Sequence, residues 1–117
     1  MSSRRPTLEH TAVLAVVVVG GPETLVEATR RATSVVTHAT VVTADIATAA
    51  TQVARARPFA VVVSDEIYAF DAAEFDALAR DVQATLIALP TEGVPLRLLQ
   101  QRLTPLVMDA FREQFRS

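Results

Sequence analysis

The chain has 117 residues and a formal net charge of -2, with 50% hydrophobic and 21% charged side chains, which is apolar material for one core and too little for two. Every basic residue is arginine, since the sequence contains no lysine, and so mild an acidity excludes the basic excess of a nucleic-acid footprint. The lack of cysteine excludes disulfides, thiolate catalysis and thiolate metal sites, and His10 and His38 build no H-x-x-x-H ligand pair.

Residues 1–10, with Ser2, Ser3, Arg4, Arg5 and Pro6, read as a loose polar tail. Arg4 and Arg5 ahead of the apolar run Ala12 to Val19 have a trace of a secretory signal, but Glu9 and His10 interrupt it and the run is rich in valine, as buried strands are. No apolar stretch reaches the ~18 residues of a membrane span, so a cytoplasmic location is the default expectation.

From Thr11 the periodicity alternates between buried strand and amphipathic helix. Thr11 to Val19 is a continuous apolar run, the pattern of a strand covered on both faces. Gly20 and Gly21 end it, and Pro22 suits the first turn of a helix to about Thr33, with Leu25, Ala28 and Ala32 at helical spacing. Ala39 to Ala44 is a second strand, after which Asp45 is placed to cap a helix reaching about Arg57 with Ile46, Ala49, Ala50 and Val53 inward. Pro58 stops it. Phe59 to Ser64 is a third strand, and Ser64 to Asp71 reads as a solvated loop with Tyr68 and Phe70 as an aromatic lid. Asp71 and Glu74 stand at capping-box spacing before a helix with Phe75, Leu78, Ala79 and Val82 on one face. Ala84 to Leu89 is a fourth strand ended by Pro90. Val94 to Phe115 is helical, with a break expected at Thr104 and Pro105 because proline costs stability in a helix interior. The order predicts a single α/β domain over residues 11–117, a doubly wound parallel sheet between two helical layers.

Three stretches carry a family resemblance. Val16 to Leu25, Arg57 to Asp65 ("RPFAVVVSD") and the pair Leu89 and Pro90 resemble, in order, the first strand and helix, the third strand, and a late strand end of the receiver domain of bacterial response regulators. The resemblance implies a flavodoxin-like sheet, here shortened to four strands in the order 2-1-3-4 with C-terminal helices. It also puts Asp65, or Ser64 in the shifted register, at the phosphoacceptor position. The acidic pair that holds Mg²⁺ in that family is replaced by Val19 and Gly20, and no lysine exists to neutralise a phosphoryl oxygen. A carboxylate that gains a phosphoryl group without cation or ammonium beside it has nothing to offset the added negative charge. The expectation is therefore a degenerate, non-catalytic pseudo-receiver without metal or cofactor.

Other features frame its partners. Gly20 and Gly21 before a helix invite a phosphate-binding reading, but neither G-x-G-x-x-G nor G-x-x-x-x-G-K-[ST] is present. The adjacent carboxylates Asp65 and Glu66 have no histidine or nucleophile at a useful spacing. Tyr68 and Phe70 are candidate anchors for a protein partner. Leu96, Leu99, Leu103 and Leu106 follow a 3-4-3 spacing that fits either packing on the sheet or a subunit seam, with Phe111 and Phe115 as further apolar surface and Arg97, Arg102, Arg112 and Arg116 as a rim. A fourth strand with no fifth beside it would be an apolar sheet edge needing cover. These features point to a protein-binding, homodimerising module of bacterial signalling or regulation. The competing expectation is a sensor of a small anion or nucleotide at the carboxyl ends of the strands.

Overall fold

A computed structural model describes residues 14–115; the predicted tail, Thr11 to Val13 of the first predicted strand, and Arg116 lie outside them. Four five-residue strands, β1 (Ala15–Val19), β2 (Thr40–Ala44), β3 (Ala60–Ser64) and β4 (Thr85–Leu89), alternate with helices α1 (Glu23–Val36), α2 (Ala49–Ala56), α3 (Asp65–Phe70), α4 (Ala72–Asp81) and α5 (Leu96–Gln114). All strand pairs are parallel, in the order β2-β1-β3-β4. The layered parallel sheet is the one the alternating pattern predicts, and its shortened flavodoxin-like strand order is the one the receiver resemblance implies.

The valine runs explain the layering. Successive strand residues point to opposite faces, and both faces of β1 are buried along its whole length. Val16 and Val18 meet Leu25 and Ala28 of α1 and Leu99 and Leu103 of α5. Val17 and Val19 meet Val53 of α2 and Phe75 and Ala79 of α4. Each such valine or leucine contributes about 1.5–3 kcal/mol by leaving water. The sheet thus separates two half-cores.

Four local expectations are corrected. The second predicted helix opens as a 3-10 turn, Ile46–Thr48, before α2, and of its expected inner stripe Ala49 and Val53 are buried while Ile46 and Ala50 are exposed. Ser64 to Asp71 is not a loop but mostly α3: the Ser64 hydroxyl accepts from the Ile67 N–H at 3.3 Å, and Asp65 and Glu66 in the first turn favour the positive end of the helix. Asp71 precedes α4, yet its side chain makes no cap hydrogen bond. No break occurs at Pro105, because α5 runs through it. The carbonyl that Pro105 leaves without a donor belongs to Gln101, and both residues are exposed, so the lost bond falls on the solvent side of the helix. The Thr104 hydroxyl, instead of capping a new helix, donates to the Gln100 carbonyl at 2.8 Å.

Asp45 caps as expected. Its carboxylate accepts from the Thr48 N–H at 2.9 Å and the Thr48 hydroxyl at 2.8 Å. The hydroxyl bond, then the backbone bond, hold the Asp45 pKa below its ordinary value of 3.8. A folded-state pKa lowered in this way adds stability above the unfolded value that disappears as pH falls through the folded one. Asp45→Ala is therefore expected to melt below the parent at neutral pH and to converge with it in acid, as read by thermal melts across that range; a constant gap would contradict the cap.

Candidate functional site

In open α/β sheets ligands bind beyond the carboxyl ends of the strands, where β1, β2, β3 and β4 deliver Gly20, Asp45, Asp65 and Pro90. Of the two residues that the receiver resemblance sets in the place of an acidic pair, Val19 is fully buried within the half-core. Gly20 turns the chain with φ of 84°, and its N–H donates to the Ala44 carbonyl at 2.7 Å. Gly20 is exposed, but Ile67 stands close on one side: a Cβ placed there would collide with the Ile67 side-chain methyl.

The same helix borders the rest of the crevice. Because α3 starts directly at the end of β3, it carries Ile67 back across Gly20 and sets Glu66 toward β4, where Thr91 Oγ1 donates to Glu66 Oε1 at 3.5 Å. Ser64 is buried with its hydroxyl engaged as the helix cap, and Asp65 is exposed. The crevice thus presents carboxylates and an isoleucine where an anion would need donors or a cation. Among the described residues no group of three or more His, Cys, Asp or Glu side chains could hold a metal ion. The sequence contained one signal for this obstruction: Ile67 is the only aliphatic side chain larger than alanine between Ser64 and Asp71.

The aromatic pair of this segment is divided. The Tyr68 hydroxyl donates to Asp76 at 3.0 and 3.2 Å, which raises the phenol pKa, and its ring lies 6.4 Å from that of Phe75. Phe70 stands 86% exposed at the end of α3. The C-terminal stripe divides as well. Leu99 and Leu103 are fully buried, Leu96 packs at the edge of the same half-core, and Leu106 is 39% exposed. Phe111 meets Phe59 edge-on at 5.7 Å and Phe115 at 5.0 Å, with Phe115 itself largely exposed. The inner positions of α5 are Leu99, Leu103, Val107 and Ala110, so the leucine spacing serves packing on α1 and the sheet, leaving Leu106 and Phe115 outside.

β4 ends the sheet. Thr85 N–H donates to the Phe59 carbonyl at 3.0 Å. Since a parallel ladder bonds alternate residues to a given neighbour, Leu86 and Ala88 turn their N–H groups away from β3. No charged side chain interrupts Thr85 to Leu89.

Among the described residues no helix is long and apolar enough to cross a membrane. No family model, curated protein or solved structure matches the chain.

Proposed function

We propose that this chain is a non-catalytic, receiver-like module of the cytoplasm that acts through protein contacts and pairs with a second copy of itself along β4. The observation that carries the reading is the obstructed crevice, in which Ile67 sits against the exposed Gly20 and Glu66 accepts from Thr91 at 3.5 Å. A site that performs phosphoryl chemistry needs that volume for a cation and an anion, and here the Ile67 side chain takes up part of it. Sensing of a small anion at Gly20 and Gly21 is disfavoured for the same reason, and by Glu23 in the first turn of α1. The dimer is supported by the uncharged edge of β4, because proteins normally blunt such an edge or pair it.

Sedimentation equilibrium from low to high micromolar concentration tests the dimer. Ala88→Pro is expected to be monomeric, since position 88 has no ladder bond to β3 to lose and proline removes an outward N–H. Thr85→Lys is expected to act alike by placing a charge on the edge. A parent that stays monomeric throughout would overturn the pairing. A gain of one phosphoryl mass on incubation with an acyl phosphate and Mg²⁺ would overturn the non-catalytic assignment.

A further inference from the structure

The face opposite α1 and α5 carries a groove that neither the obstructed crevice nor the β4 edge uses. α2 and α4 lie side by side over Val17 and Val19, and because their facing residues are small, two adjoining depressions of about 260 and 200 Å³ open between them, sharing Ala50, Glu74 and Leu78. The floor is apolar: Val53, Phe75, Leu78 and Val82 with alanines around them. At its upper end Ile46 is 57% exposed, and Phe70 adjoins Asp71 in the chain there.

The charge along this groove has one sign. Asp71, Glu74 and Asp81 line it, all three exposed, and neither depression is lined by an arginine or a histidine. Six of the chain's 13 acidic residues fall between Asp65 and Asp81, against the single cation Arg80. Glu74 and Asp81 are seven residues apart on α4, which at 1.5 Å per residue sets them about 10 Å apart along one side of the groove. The whole of α4 is about 15 Å long, the length of roughly three turns of a partner helix. An apolar trough flanked by carboxylates complements a helix with a small apolar face and basic flanks.

We infer that the α2–α4 groove binds an amphipathic helical segment of a protein partner, one with small apolar residues on its contact face and arginine or lysine side chains seven residues apart that meet Glu74 and Asp81. The inference rests on the interaction-module reading but not on pairing through β4, and the monomeric Ala88→Pro variant keeps the two separable by binding the same segment.

The test uses the full chain labelled with ¹⁵N and two synthetic helical peptides with an alanine and leucine face, one with arginines seven residues apart and the other with glutamates there. The arginine peptide is expected to shift amides of α2 and α4 selectively. Glu74→Arg with Asp81→Arg, both exposed and so tolerated by the fold, is expected to weaken binding by about tenfold or more, as reversed rim charges do. Absence of such shifts, or equal binding of the glutamate peptide, would overturn the proposal. So would movement of the same amides on simple dilution, which would place a second copy in the groove, or on deletion of residues 1–13, which would place the chain's own N-terminal segment there.

Discussion

Replacing Leu103 by alanine is expected to lower the unfolding free energy by about 2–5 kcal/mol. Leu103 is fully buried between α5, α1 and the sheet, in the half-core that holds Val16, Val18 and Val62. Truncation removes the transfer free energy of three carbons' worth of surface and leaves a cavity that a close-packed neighbourhood fills only in part. Against a total stability of about 5–15 kcal/mol for a domain of ordinary size, the loss should appear as a fall in melting temperature of roughly ten degrees or more. Leu106→Ala is the control. It is 39% exposed on the same helix, so its effect should be about 1 kcal/mol, well below that of Leu103. Urea unfolding of both variants decides the matter, and equal losses would mean that α5 is rotated from the position described.

Gly20→Ala is expected to cost about 2–4 kcal/mol, from two sources. An alanine at φ of 84° enters a backbone region that L residues occupy at about 1–2 kcal/mol above their preferred ones, and its Cβ overlaps Ile67. The overlap falls on the far end of a side chain that can swing away, which places this part at the low end. Ile67→Ala should relieve the overlap while leaving the backbone term. In a double-mutant cycle the pair should therefore be less destabilised than the two single variants together by about 1 kcal/mol. A coupling of zero would mean that Ile67 does not sit against Gly20, and the crevice would be unobstructed there.

The layer plan was legible in the sequence because the strands carry it in composition alone: unbroken valine at 16–19 and 61–63 demands cover on both faces. Helix boundaries were less so. Pro105 reads as a break, and what reverses that reading is the solvent exposure of Gln101, a tertiary fact. Of the inner stripe expected after Asp45, Ala49 and Val53 are buried, whereas Ile46 falls in the 3-10 turn that precedes α2 and is exposed, as is Ala50. The site followed a similar division. Val19, Gly20 and the lack of lysine are visible as residue types, whereas the approach of Ile67 to Gly20 depends on α3 beginning without a spacer at Ser64, whose hydroxyl accepts from the Ile67 N–H. The α2–α4 groove left little trace in the sequence, because alanines at 50, 54 and 77 look like ordinary helix formers until two helices bring them together.

The place of α5 bears on how this chain is made. Leu99, Leu103, Val107 and Ala110 are the lid on one side of the sheet, and they leave the ribosome after every strand they cover. During the ~1–4 s needed to synthesise those 19 residues, a nascent chain already holding Val16, Val18, Val62 and Ile87 has only α1 to shelter them. Premature termination before residue 96 would release a polypeptide with a naked hydrophobic sheet surface, a natural client for chaperones and proteases.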